Sequence, residues 1–271
     1  MFESVKKATV ALVHLHEESL KQNDRKPPYT IVGSGFCIHP RGIIVTCEHV
    51  LSAFMEKPMH QQIAEIPEED RGQEVRRMQE IRAFVPYVVF FNTNVSDEEL
   101  FAFPARTDIG MAKTNYDLGM VRVHPHNAFP NGFPSLEIES YDQVQEGMEI
   151  ATCGFPLGNF LGEQIGTLTS SFTKGIVSSI IPSFGVPIEY LKGFQLNLTA
   201  THGNSGGPVF SISSGKVFGV LQKGVEGLDG QLFQGITKAE PIYPVLEHDS
   251  LERMLEAPQG QIPSFDRPPT G

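Results

Sequence analysis

The chain has 271 residues, enough for one large domain or two small ones, and 40% hydrophobic residues with nineteen phenylalanines supply a real core. Its net charge of −11, from 21 basic against 32 acidic residues, argues against nucleic acid or an anionic membrane surface as the main partner. No apolar run reaches the roughly 18 residues that would read as a membrane-spanning helix.

The start, Met1-Phe2-Glu3-Ser4-Val5-Lys6-Lys7, has neither the apolar centre nor the small-residue cleavage site of a signal peptide. Residues 7–14 then read as a strand, as do 29–38, 42–47, 85–92, 99–106 and 117–124. Between them, residues 56–84 are densely charged, and Val75, Met78, Ile81 and Arg82 carry the spacing of an amphipathic helix. This segment is expected to be a helical insertion between strands. The turn formers of 125–135, from Pro125 to Ser135, divide the chain near its middle. A second set of strands follows at 148–154, 165–180, 193–199, 207–212, 215–223 and 231–237. Ser250 to Leu255 suit a short closing helix. Residues 257–271, with four prolines and few apolar groups, are expected to be disordered. Twenty-six glycines and twenty prolines fit this rhythm of short strands and turns, which points to an all-β fold of barrels or sandwiches.

Three cysteines, Cys37, Cys47 and Cys153, are too few and too odd for a disulfide framework. They read as buried thiols in a cytoplasmic protein, although a leader removed before Met1 is compatible with the sequence. Cys37 and Cys47 lie where a hairpin could bring them together, and a bridge there is the lesser alternative.

The chemistry concentrates in three segments. Thr201-His202-Gly203-Asn204-Ser205-Gly206-Gly207-Pro208 brackets one serine with glycines, which permit a tight turn and leave amide N–H groups free to face a developing anion. Thr46-Cys47-Glu48-His49-Val50 supplies a histidine, and Tyr116-Asp117-Leu118-Gly119 an aspartate. A serine hydroxyl needs an adjacent base, and histidine titrates near working pH. A carboxylate fixes the imidazole tautomer and stabilises the imidazolium. His49 is therefore expected as base, Asp117 as its orienting carboxylate and Ser205 as nucleophile. The N–H groups of Gly203 and Ser205, with Asn204 as spacer, are expected to form the oxyanion hole. This chemistry requires no metal and no cofactor.

These segments resemble the chymotrypsin-fold serine peptidases, most closely the HtrA/Deg branch. The resemblance rests on Gly33-Ser34-Gly35-Phe36, Ile44-Val45-Thr46-Cys47-Glu48-His49-Val50, Tyr116 to Val123, Cys153-Gly154-Phe155-Pro156-Leu157-Gly158, Thr173-Lys174-Gly175-Ile176-Val177-Ser178 and Gly203 to Pro208. They occur in family order from about residue 30 to 240. The resemblance implies two six-stranded antiparallel β-barrels within one protease domain over about 1–250. The N-terminal barrel would span about 1–125 and the C-terminal barrel about 136–247. Where that branch carries Asn-Ala before its histidine, this chain has Cys47-Glu48. The stretch after the barrels is too short for a PDZ domain, so PDZ-mediated regulation is not carried over.

The same resemblance informs specificity. Asn204 replaces the aspartate that trypsin-like members use for zymogen activation, so no such activation is expected. Thr199 stands where they carry an acidic residue for basic side chains, so cleavage after Lys or Arg is not expected to dominate. Thr199, Ala200, Leu221 and Gln222 suggest a pocket for a small or medium apolar side chain, and His202 could favour an acidic one. The implied partners are a protein or peptide substrate, with a homo-oligomer or a regulatory protein as further candidates.

Three other readings compete. Gly203-Asn204-Ser205-Gly206-Gly207 also fits the G-x-S-x-G elbow of α/β-hydrolases, but that elbow runs into a helix, and its acid and histidine follow the serine. Here Pro208-Val209-Phe210-Ser211-Ile212 reads as a strand, and the one histidine after Ser205 is His248. A second alternative is a latent or non-catalytic protease-fold module that needs a partner or oligomer to order its oxyanion loop. The pairs His124/His126 and His14/His16 have strand spacing that could hold a metal, but neither has an evident third ligand.

Overall fold

The computed structural model describes residues 1–16, 29–54, 84–92, 99–104, 110–111, 116–124, 127, 129–156, 168–183, 185–226 and 232–256. The glycine- and proline-punctuated apolar runs fold as strands because β-branched and aromatic side chains alternate onto a buried face. The first half begins with α1 (Phe2–Ala8), which leads directly into β1 (Thr9–His16). β2 (Tyr29–His39), β3 (Ile43–Thr46) and α2 (Glu48–Phe54) follow. β4 (Phe84–Asn92), β5 (Glu99–Pro104), the two-residue β6 (Gly110–Met111) and β7 (Gly119–Arg122) complete it. These strands form a seven-stranded sheet in the order β5-β4-β1-β2-β3-β7-β6.

The second half contains β8 (Glu149–Gly154), β9 (Ser171–Ile181), β10 (Gly193–Asn197), β11 (Pro208–Ser211), β12 (Val217–Glu226) and β13 (Leu232–Pro241). They close into a barrel in the order β10-β13-β12-β11-β8-β9, which removes exposed sheet edges. Two short helices, α3 (Tyr243–Leu246) and α4 (Asp249–Glu256), end the described chain. The all-β, chymotrypsin-like expectation holds, and α4 coincides with the expected closing helix. α1 and α2 were not expected. α1 buries Val5 and Ala8, and seven residues are too few to show a helical period in sequence. The helical insertion expected at 56–84 falls, over 55–83, outside the described residues, and so does the tail at 257–271.

One large core runs through both halves. It includes Phe36, Val45 and Met120 from the first and Phe194, Phe210 and Phe218 from the second, each fully buried. Burying a phenylalanine stabilises by roughly 2–3 kcal/mol, so these rings contribute heavily to holding the halves together. A smaller cluster sets Phe155 and Leu168 of the second half against Ala11, Val13 and Val89 of the first. Cys37, Cys47 and Cys153 are all buried free thiols, so no Cys37–Cys47 bridge forms.

Strand register positions the chemistry. β3 and β7 pair antiparallel, with Thr46 opposite Gly119. The residues just after β3 therefore lie beside those just before β7, which brings His49 and Asp117 together across 68 positions of sequence. In the closed barrel, Pro208 of β11 pairs with Val220 of β12, which places the loop before Pro208 against Leu221 and Gln222.

Candidate active site

His49 lies in the first turn of α2, immediately beyond the fully buried strand β3. Its backbone N–H donates to Asp117 Oδ1 at 2.9 Å, and its Nδ1 lies 2.6 Å from Asp117 Oδ2. The carboxylate thus grips backbone and ring together, which fixes the imidazole plane. The Nδ1 contact assigns the proton to Nδ1 and leaves Nε2 as an acceptor. The Gln222 side-chain amide also donates to Asp117 Oδ2, at 3.1 Å. Burial acts to raise the Asp117 pKa. The His49 side-chain and backbone hydrogen bonds, attraction to His49 and the Gln222 amide together hold it below the ordinary value. Asp117 is 18% exposed and His49 is 47% exposed, so the imidazole is open to solvent while the carboxylate is largely covered.

The Ser205 loop is two successive β-turns. Asn204 N–H donates to Thr201 O at 3.1 Å, and Gly207 N–H donates to Asn204 O at 3.0 Å. The third residue of each turn is a glycine at positive φ, Gly203 at 94° and Gly206 at 88°, as type II turns require. The loop is fastened to the first half at several points. Ser34 N–H donates to Ser205 O at 2.8 Å, and Ser34 Oγ donates to Gly203 O at 2.5 Å. Phe155 N–H donates to Ser34 Oγ at 3.1 Å. A Cβ on Gly33 would lie 2.5 Å from Val50 Cγ1 and 3.2 Å from Ser205 O, so Gly33 alone separates the His49 helix from the Ser205 turn.

Leu221 O is a second junction. It accepts from Gly206 N–H at 2.7 Å and from the Cys47 thiol at 3.3 Å. It thereby ties the serine loop to the residue two before His49. Asn204 is buried, and its Oδ1 packs against Gly154. Among the described residues, no backbone carbonyl accepts from the N–H of Gly203 or Ser205, and no hydrogen bond joins the Ser205 hydroxyl to His49.

The expected pocket residues are placed unevenly. Thr199 and His202 are exposed, whereas Ala200 and Leu221 are buried in the core. Gln222 directs its amide to Asp117. His14 Nε2 lies 3.0 Å from the carbonyl of Phe54, which occupies that ring nitrogen. The side chain of His16 and all of His126 lie outside the described residues.

Sequence reasoning missed Ser34, the Gln222–Asp117 bond and a buried acid, Glu240. Glu240 is 1% exposed and its Oε1 pairs with Lys238 Nζ at 2.8 Å, while among the described residues Oε2 has no hydrogen-bond partner. Burial raises the Glu240 pKa, Lys238 opposes this, and Asp117 adds to it by repulsion. An acid two residues from a lysine in an apolar strand was the available signal.

A histidine–aspartate pair from one β-unit and a glycine-bracketed serine from a closed barrel meet at a common seam. That arrangement defines the class of chymotrypsin-fold proteins. The chain belongs to the trypsin-like peptidase family, whose domain model, described as "Trypsin-like peptidase domain", matches residues 33–220. It is 26% identical over 204 residues to a probable periplasmic serine endoprotease, DegP-like, of Rickettsia conorii. That match covers 74% of this chain but only 30% of the relative. Among solved structures, the HtrA-type protease AlgW with a tripeptide superposes with a TM-score of 0.54 at 16% identity, covering 94% of this chain and 62% of that one. AlgW with a decapeptide gives 0.56 at 17% identity, covering 93% and 65%. No helix among the described residues is long and apolar enough to cross a membrane.

Proposed function

We propose that this chain is a serine endopeptidase working through an acyl-enzyme. The observation that carries the reading is the doubly anchored His49–Asp117 pair, at 2.6 and 2.9 Å, at the seam where the Ser205 turns are fastened. His49 Nε2 would take the Ser205 proton as Oγ attacks the scissile carbonyl. The Gly203 and Ser205 N–H groups would receive the oxyanion, and His49 would then pass its proton to the leaving amine. Asp117 would stay ionised throughout, as its depressed pKa allows.

A fluorophosphonate probe tests this directly. The purified chain should label at Ser205, and Ser205→Ala and His49→Ala should abolish labelling. A folded sample that resists the probe would instead favour the latent form. The missing Ser205–His49 hydrogen bond speaks for that form, although such bonds commonly tighten only with substrate bound. A partner or a second copy would then be needed to complete the site.

The P1 preference proposed is a small or medium apolar residue, because Thr199 and Ala200 bring no acid to the pocket. A peptide library returning mainly Arg or Lys at P1 would reject it. Faster cleavage of denatured than of folded casein is expected if unfolded protein is the substrate. A cytoplasmic location is proposed from three unpaired, buried thiols. The Rickettsia relative is described as periplasmic, so cell fractionation is the test.

A further inference from the structure

Cys47, half of the Cys47-Glu48 pair in which this chain departs from the branch it resembles, is fully buried two residues before His49. The Cys47 sulfur, a His49 ring nitrogen and an Asp117 carboxylate oxygen all lie within 4.8 Å of one another. A tetrahedral zinc site needs neighbouring ligand atoms roughly 3.3–3.6 Å apart, from metal–ligand distances of about 2.0–2.3 Å. The His49–Asp117 contact at 2.6 Å would open by about 0.7–1.0 Å, and the thiol would close by at most about 1.5 Å.

The donor set is thiolate, imidazole and carboxylate, three chemically different groups that together suit zinc or cobalt and exclude magnesium or calcium. A thiolate and a carboxylate neutralise a divalent ion. The half-exposed His49 leaves a path for entry and a fourth position for water.

We propose that Cys47, His49 and Asp117 form an inhibitory site for a borderline-soft divalent metal of the zinc class. This rests on the peptidase reading for its inhibitory consequence, though not for binding itself. The metal would bond to Cys47 Sγ, His49 Nδ1 and one Asp117 oxygen. The thiol proton leaves to solvent. The His49 proton moves from Nδ1 to Nε2, so the imidazole remains neutral and no electrons are transferred. A metallated Nδ1 holds the ring in the tautomer with hydrogen on Nε2, and that nitrogen can no longer accept the Ser205 proton. Hydrolysis would stop without any blockage of the substrate groove.

The test separates binding from inhibition. Cobalt(II) titrated into the metal-free full chain should produce a thiolate-to-cobalt charge-transfer band in the near ultraviolet at one equivalent. The band should persist in the Cys37→Ala/Cys153→Ala double variant and vanish in Cys47→Ala. Zinc in slight excess should slow fluorophosphonate labelling of Ser205 by at least about tenfold, reversibly with EDTA, and Cys47→Ala should lose most of that sensitivity. Absence of the band in the folded chain, or its loss in the double variant, would overturn the proposal. Equal zinc sensitivity in the wild type and Cys47→Ala would also overturn it. If the chain never labels, the cobalt band still decides the site while the peptidase reading fails alone. If Cys47→Ala does not fold, the double variant carries the same decision.

Discussion

Gly206→Ala offers a sharp probe of how the Ser205 loop is held. The residue sits at φ 88°, and a Cβ there would come 2.0 Å from Ser34 O and 2.2 Å from Thr46 Oγ1. Left-handed backbone costs an L-residue about 1–2 kcal/mol. Relief of the clash must part the loop from β2 by over about 1 Å, given ordinary carbon–oxygen contact. That breaks the Ser34 Oγ→Gly203 O bond of 2.5 Å and the Ser34 N→Ser205 O bond of 2.8 Å. At about 1 kcal/mol each, the total loss is about 3–5 kcal/mol once residual strain is included. Gly147→Ala is the matched control. Its φ is 82°, but nothing lies within 4 Å of the added carbon, so only the backbone cost applies. Urea denaturation followed by circular dichroism should show Gly206→Ala less stable than Gly147→Ala by about 2–3 kcal/mol. Fluorophosphonate labelling should fall about a hundredfold in Gly206→Ala alone, the usual consequence of a 1 Å misplacement. Equal midpoints for the two variants would refute the claim that close approach to Ser34 and Thr46 fixes the loop.

Asp117→Asn should keep the fold but slow labelling about 10⁴-fold, because an amide no longer enforces the Nδ1–H tautomer; stopped-time labelling at pH 7 measures it. The depressed Asp117 pKa contributes stability that is present above its unfolded value and lost as pH falls through the lower folded value. Wild type should therefore lose more stability than Asp117→Asn between neutral and strongly acid pH, read from denaturation midpoints. Lys238→Met strands the buried Glu240 carboxylate and should cost about 1–2 kcal/mol near neutrality, reduced from the fully buried range because the ammonium is partly solvated. Since the Glu240 pKa is raised in the fold, that loss should grow as pH rises through its folded value, and adding Glu240→Gln should restore most of it.

The strands were readable because each is short, apolar and bounded by glycine or proline, and the candidate residues His49, Asp117 and Ser205 stood out because each sits inside a local motif. What the sequence concealed is non-local. Ser34 holds Gly203 O and Phe155 N–H across 169 and 121 positions, respectively, and nothing in the string Gly33-Ser34-Gly35 announces either partner. Gln222 follows a buried leucine in a strand, where its expected place was a pocket wall. Its amide reaches Asp117 because β12 lies along the seam, a fact of barrel packing that propensity does not encode. α2 was hidden for a different reason. Its apolar residues Val50, Leu51 and Phe54 follow β3 after only three residues and span little more than one turn, so the change of period from two to 3.6 has too few residues to register.

The seam also explains why the two halves form one functional unit. Asp117 receives two hydrogen bonds from His49 of its own half and one from Gln222 of the other, while Leu221 O receives one from each half. Gln222 and Leu221 are consecutive, so a single dipeptide of β12 holds both the Asp117 carboxylate and the Ser205 loop. A small rotation of one half against the other would disturb both together. Activity should therefore respond steeply to any partner, oligomer or ligand that shifts the halves, even one binding far from Ser205. Paired substitutions separate this from independent anchoring. If Gln222→Leu and Ser34→Ala act through one shared geometry, the double variant should label scarcely more slowly than the worse single variant. If the two anchors act independently, their effects on the labelling rate should multiply.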